Sequence, residues 1–208
     1  MLATIVERFQ SAPEQNLIVG ISGIDGSGKS TLSGQIESAL TKRNITATQV
    51  NLDDLLHPKS IRHKNRDQVQ GYFEDNFDFS SLINKILDPA RGAARFATHY
   101  PVLNLDTDEL STRDFAFDGP GVLIVEGVFL FKKELRDKFD LKVWIEIAFA
   151  EAMDRVVARS RDVRYGDEEA IRARYETRFF PTQRHHLERD RPADAADIVV
   201  DSSERPSG

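Results

Sequence analysis

The chain has 208 residues, 40% hydrophobic and 30% charged, which suits one domain with a substantial core. A net charge of −6 argues against broad affinity for nucleic acid, and no apolar run approaches the length that spans a membrane. The absence of cysteine excludes disulfides and thiolate metal sites and fits a cytoplasmic setting.

Leu2, Ile5, Val6 and Phe9 make one apolar stripe at helical spacing, closed by Ser11, Ala12 and Pro13. This predicts a packing helix without chemistry and lacks the continuous apolar core of a signal peptide. Residues 16–22 predict a short buried strand. Gly23-Ile24-Asp25-Gly26-Ser27-Gly28-Lys29-Ser30-Thr31 follows directly and fits the phosphate-loop pattern G-x-x-x-x-G-K-[ST]. Leu32, Ile36, Ala39 and Leu40 then recur at helical spacing, with Asn44 as a stop. Strand, glycine loop and helix are what phosphate binding needs. The glycines let backbone N–H groups converge without a Cβ in the way, and the helix N-terminus adds unpaired donors. Lys29 supplies a mobile charge for the transferring phosphate and Ser30 a hydroxyl for Mg²⁺.

Residues 45–52 predict a second strand that runs into Asp53 and Asp54, and residues 56–70 read as a polar, basic loop. Ser80 and Ser81 predict the cap of a helix carrying Leu82, Ile83, Ile86 and Leu87, ended by Asp88 and Pro89. Alternating pieces within residues 91–120 predict a small antiparallel ribbon. Residues 122–125 predict an apolar strand ending in Glu126 and Gly127, and residues 141–149 another. A helix over 151–159 leads through an arginine-rich piece and Gly166-Asp167 into a helix from Glu168 to about Phe179. Residues 197–201 predict a last strand. Strands alternating with helices give an α/β fold: a mostly parallel sheet covered on both faces, with ligands at the carboxyl ends of the strands. The glycine loop, Asp53 and Glu126 each follow a strand and therefore share one rim.

On that rim, Glu126 suits a magnesium contact, alongside Ser30. One of Asp53 and Asp54 suits acceptance of a hydroxyl proton from a phosphoryl acceptor, while the other caps the turn or touches the acceptor. Arg155, Arg159, Arg161 and Arg164 form a dense set of the kind that stabilises phosphate charge from a lid at about 159–178, and Arg159 and Arg164 are its catalytic candidates. Lys59, Arg62, His63, Lys64 and Arg66 form a second basic cluster, read equally as a grip on a phosphorylated acceptor or as an exposed loop. His57 reads as a loop or packing residue, and His185 and His186 have no metal-ligand partners at convincing spacing.

Taken together, Gly23 to Thr31, Asp53-Asp54-Leu55-Leu56-His57, Asn76-Phe77-Asp78, Val125-Glu126-Gly127 and Ala196-Asp197-Ile198-Val199-Val200-Asp201 resemble the uridine kinase and phosphoribulokinase family. The resemblance runs from about Leu17 to Asp201 and is closest to small bacterial uridine kinase-like proteins. It implies a five-stranded P-loop NTPase core, ATP and Mg²⁺. Nucleotide contacts would come from Gly23, Asp25, Gly26, Ser27, Gly28, Lys29, Ser30 and Thr31. Asp53 matches the family's catalytic Asp, Glu126 its metal-side acid, and Asp78 an acid that holds the acceptor ribose. Residues 159–164 match its lid, and Gln183 falls in a segment near the acceptor, as do Asp54 and Arg62. The stretch Val102-Leu103-Asn104-Leu105-Asp106 lacks the aromatic-Asp pair and His with which uridine kinases clasp the base. The expectation is an ATP-dependent kinase for a small hydroxyl acceptor, foremost a nucleoside with loose base selection. Another acceptor, such as a sugar phosphate or pantothenate, and a nucleotide-binding regulatory module are the competing readings. A homo-oligomer is compatible with any of these.

Overall fold

The computed structural model describes residues 1–159 and 166–203. Helix α1 (Leu2–Ser11) precedes strand β1 (Leu17–Gly23), helix α2 (Lys29–Thr41) and strand β2 (Ala47–Asn51). A 3₁₀ turn (Leu52–Leu55) leads to the short helices α3 (Lys59–Arg62), α4 (Gln68–Glu74) and α5 (Phe79–Ser81). A π turn (Leu82–Leu87) then runs into α6 (Asp88–Gly92). Strands β3 (Arg95–Asn104) and β4 (Glu109–Asp118) form the ribbon, followed by β5 (Val122–Gly127) and β6 (Leu141–Glu146). Helices α7 (Phe149–Val157) and α8 (Glu168–Arg174), a second π turn (Tyr175–Phe179), α9 (Phe180–Asp190), α10 (Pro192–Ala195) and strand β7 (Ile198–Asp201) complete the chain.

The main sheet has five strands in the order β2-β5-β1-β6-β7, all parallel. Every residue of β1 and β5 is buried, because helices cover both faces of a parallel sheet; this is why both strands read as continuous apolar runs. Val19, Ile21, Val122, Ile124, Val143 and Ile145 pack on one face with Ile5, Leu32, Ile36 and Leu40 of α1 and α2. Ile18, Leu123 and Val125 face the other way, into a larger core that includes Phe73, Phe77, Phe129 and Trp144. The α/β architecture with a separate two-stranded ribbon is the one expected from the sequence.

Several boundaries differ from expectation: the strand expected over 141–149 ends at Glu146, and α7, expected from 151, begins at Phe149. The stretch expected as a loop over 56–70 contains α3 and the start of α4. Asp67 caps α4 by accepting from Val69 N and Gln70 N, and Tyr72 and Phe73 bury its inner face. The helix expected to end at Asp88-Pro89 continues to Gly92, and the one expected to end near Phe179 continues through Pro181 to Asp190. In both cases a π turn stops two residues before the proline. Proline lacks an N–H and its ring clashes with the carbonyl four residues back; the wider π turn shifts that carbonyl, so the helix passes the proline instead of breaking.

Asp167 caps α8 through Ala170 N, as the Gly166-Asp167 break predicted. Of the expected lid arginines, Arg161 and Arg164 lie outside the described residues. Among the described residues no helix is long and apolar enough to cross a membrane.

Candidate active site

The carboxyl ends of β1, β2 and β5 open into a cleft of about 800 Å³. Its floor is the loop between β1 and α2. Gly28 is left-handed, with φ 95°, and no atom lies within 4 Å of where its Cβ would stand. That leaves backbone N–H groups at the start of α2 facing open space, the arrangement that accepts phosphate oxygens. Lys29 Nζ reaches back across the loop to Gly23 O at 3.1 Å and Ile24 O at 2.9 Å. Its ammonium is thus held over the loop rather than extended into solvent.

Two acids meet this loop. Glu126, 3% exposed at the end of β5, accepts from Ser30 Oγ at 2.8 Å. Asp53 stands at the end of β2, where Asn51 Oδ1 fixes the turn by accepting from Asp53 N at 2.8 Å. The two strand ends come together because Gly127 packs against Leu52: a Cβ on Gly127 would lie 2.4 Å from Leu52 Cβ. Gly127→Ala should therefore force β5 and the 3₁₀ turn apart, costing about 1–3 kcal/mol of stability in chemical denaturation. Activity lost beyond the change in folded fraction would confirm that this contact also spaces the two acids.

Asp53 faces the water of the cleft yet is ringed by protein. Its enclosure, then the charges of Asp25 and Glu126, push its carboxyl up to about 6, with Lys29 opposing. Ser30 Oγ and the Glu126 carboxylate, 2.8 Å apart, form a pair of hard oxygen donors beside the loop. Ser30 and Glu126 in particular suit Mg²⁺, an ion that takes one or two protein oxygens and completes its shell with phosphates and water. Among the described residues no three His, Cys, Asp or Glu side chains are placed to hold a metal by themselves.

Across the cleft lie residues from α3, the ribbon and the α8 region. Asp54 forms an ion pair with Arg113 of β4. Arg113 stands opposite Tyr100 in the β3–β4 register. Tyr100 is 2% exposed, and burial raises its hydroxyl pKa. Neither Tyr100 nor Arg113 was singled out from the sequence; the inward phase of the ribbon alternation at Tyr100 was the available signal. Lys59, Arg62, His63, Arg159, Arg174 and Arg178 also line the cleft. Arg62 pairs with Asp108 at the ribbon turn, Nη2 to Oδ1 3.3 Å.

The other expected site residues are placed as follows. Asp25, Gly26, Gly28, Lys29, Ser30, Thr31, Asp53, Asp54, Arg62, Glu126 and Arg159 all line the cleft. Gly23 ends β1, and Ser27, 2% exposed, has its hydroxyl buried without a hydrogen-bond partner among the described residues. Gln183, expected near the acceptor, does not line the cleft. It is 1% exposed and turned to the glycine loop, where Oε1 accepts from Asp25 N at 3.2 Å and Nε2 donates to Asp25 Oδ2 at 2.8 Å. Asp78, expected at the acceptor ribose, caps α5: it accepts from Ser81 N at 2.9 Å and Ser81 Oγ at 2.6 Å. Its neighbours Asn76 and Phe77 line the cleft in its place. His57 is partly exposed and donates its backbone N–H to Asn76 O, and His186 is buried against Asp190 at 2.7 Å.

Known proteins share the sequence pattern and the fold. The model of the phosphoribulokinase / uridine kinase family matches residues 18–205. A pantothenate kinase of Streptococcus equi subsp. zooepidemicus is 28% identical over 144 residues, covering 64% of this chain and 45% of that protein. A uridine kinase of Staphylococcus haemolyticus is 27% identical over 132 residues, covering 62% of this chain and 61% of its own length. These matches thus span about half to three fifths of those relatives. A structure of a possible uridine kinase from Bacillus stearothermophilus superimposes with a TM-score of 0.74 at 21% identity, covering 96% of this chain and 97% of the other. D-glycerate 3-kinase from Cryptococcus neoformans gives 0.69 at 14% identity, covering 100% and 95%. Both structural likenesses speak for the P-loop fold. With a glycine loop, two strand-end acids and a family match over most of its length, this chain belongs to the phosphoribulokinase and uridine kinase family of kinases.

Proposed function

We propose that the chain transfers the γ-phosphate of ATP to a hydroxyl of a small-molecule acceptor, with Asp53 as the base. The observation that supports this most is the position of Asp53. It sits at a strand end between the Lys29 loop and the far wall of the cleft, with its pKa raised towards the working range of a base. The loop N–H groups hold the phosphates, and Lys29 moves from its carbonyl partners onto the oxygens that gain charge. Ser30 and Glu126 would hold Mg²⁺, which neutralises phosphate charge and aligns the nucleotide. Asp53 accepts the acceptor's hydroxyl proton as that oxygen bonds to the γ-phosphorus, and the bond to ADP breaks on the opposite side. Gln183, by gripping both the N–H and the carboxylate of Asp25, keeps the loop in its phosphate-ready shape. A regulatory nucleotide switch has no use for a base on the far side of the loop.

The nucleoside reading of the acceptor draws on the uridine kinases among the relatives and on Asn76 and Phe77, which offer an amide and an aromatic face in the cleft. Leu103 and Leu105 of the ribbon present aliphatic surface, which suits loose base selection. ADP release from ATP and Mg²⁺, measured alone and with uridine, cytidine, ribulose 5-phosphate or pantothenate, tests the proposal. Strong dependence on one acceptor supports a kinase; an equal rate with and without every acceptor supports the switch.

A further inference from the structure

Resting on the phosphotransferase reading, we propose that Lys132 is a positioning residue for the acceptor: from inside the core its ammonium holds the C-terminal end of α4 and, through it, the cleft wall formed by Asn76 and Phe77. A charge stands here in an apolar place. Lys132 is 8% exposed and lies in the segment that leaves β5 after Glu126 and Gly127. Its Nζ is 3.8 Å from the centre of the Phe73 ring, 4.9 Å from that of Phe79 and 5.8 Å from that of Phe129. Among the described residues it has no ion pair, and its hydrogen-bond acceptor is the Phe73 carbonyl. Phe73 belongs to the last turn of α4, where carbonyls have no partner inside the helix. A buried cation there closes the helix end and meets the negative end of its dipole. Aromatic faces and a carbonyl are what make an ammonium tolerable away from water. Burial, opposed by Glu134, brings its pKa down to about 8, which leaves it cationic at neutral pH.

The backbone on either side shows what this contact serves. Phe129, just ahead of Lys132, is left-handed at φ 62°, a strained conformation for a bulky residue, and is 1% exposed. Its ring packs against those of Tyr72, Phe73 and Phe77, with centroids 5.6, 5.3 and 6.2 Å away. The segment leaving β5 thus delivers an aromatic ring and an ammonium to the underside of α4. Beyond α4 the chain runs through Asp75 into Asn76 and Phe77, both at the cleft. These residues do not move alone. His57 N donates to Asn76 O at 3.0 Å, Asp78 N donates to Leu55 O at 2.7 Å, and Leu56 pairs with Phe77. Residues 55–57 directly follow Asp53 and Asp54. One path of contacts therefore runs from β5 through Lys132 and α4 to the wall, and on to the strand end that carries Asp53. A shift of the α4 end moves the wall relative to Asp53, and misplacing an acceptor oxygen by about 1 Å costs roughly 10²-fold in rate. The nucleotide side rests on β1 and α2, so Lys132 bears on the acceptor and not on ATP.

Two substitutions test this. Lys132→Met keeps the apolar stem and removes donor and charge, and Lys132→Gln keeps a neutral donor. Kinetics are read with whichever of uridine, cytidine, ribulose 5-phosphate and pantothenate turns over. In Lys132→Met the acceptor's kcat/KM should fall by roughly tenfold or more with the KM for ATP within about twofold, and Lys132→Gln should lie between it and wild type. Hydrogen exchange reads the same contact without turnover. The amides of His57 and Asp78 should exchange roughly tenfold faster in Lys132→Met, while that of Leu32 at the start of α2 is unchanged. Where Lys132→Met does not fold, Lys132→Gln carries the same comparison. An unchanged acceptor kcat/KM, a loss shared equally with ATP, or His57 and Asp78 amides indifferent to the substitution would overturn the proposal. Faster exchange at those two amides supports it even where none of the four acceptors turns over, a result that would count against the kinase reading alone.

Discussion

Asp53→Asn should lower kcat by roughly 10³-fold, within the range for removal of a general base, and leave ATP affinity within a few-fold. Asparagine keeps the shape and the turn fixed by Asn51 but accepts no proton. Asp54→Asn should cost less, because Asp54 is engaged with Arg113 rather than with the loop acids. Equal losses at both positions, or loss of ATP binding alone, would reassign the pair to metal binding. The pH profile gives an independent reading of the same residue. A base works only when deprotonated, so kcat/KM must rise as pH climbs through its pKa. Enclosure and the Asp25 and Glu126 charges raise that pKa to about 6, while cleft water screens them; the acid limb should fall between about 4 and 6. Higher Mg²⁺ should move the limb to lower pH, since a cation beside the acids favours the ionised form.

Lys29→Ala should lower activity by roughly 10²-fold or more with the fold intact. The half-buried side chain lines the cleft and hydrogen-bonds to two loop carbonyls, Gly23 O and Ile24 O, so its removal opens no core cavity. What is lost is the charge that meets the phosphate oxygens as the transferring group separates from ADP. Near-normal turnover with an unchanged melting curve would show that the loop does not serve catalysis.

The parts of this molecule that were legible in the sequence are local. The glycine loop, Asp53 and Glu126 each sit at the end of an apolar run, and a parallel sheet brings such ends to one rim. Gln183, Tyr100 and Arg113 were not legible in their roles, because those depend on pairing across the fold. Gln183 meets Asp25 from a helix 158 residues away, and Tyr100 meets Arg113 only through the ribbon register. The helix cap was read at Ser80 and Ser81, but the structure gives it to Asp78, whose carboxylate accepts from Ser81 N. The helix stop read at Pro89 and the helix end placed near Phe179 failed for a shared reason, the π turn in front of Pro89 and of Pro181, which no apolar periodicity announces.

Transfer of label from γ-labelled ATP to an organic product tests the central claim most directly. With Mg²⁺ and a suitable hydroxyl acceptor, the wild-type chain should move the label onto that acceptor in equal amount to the ADP formed, and Asp53→Asn should suppress both together. Label recovered only as inorganic phosphate, at a rate indifferent to every acceptor and to Asp53→Asn, would contradict it.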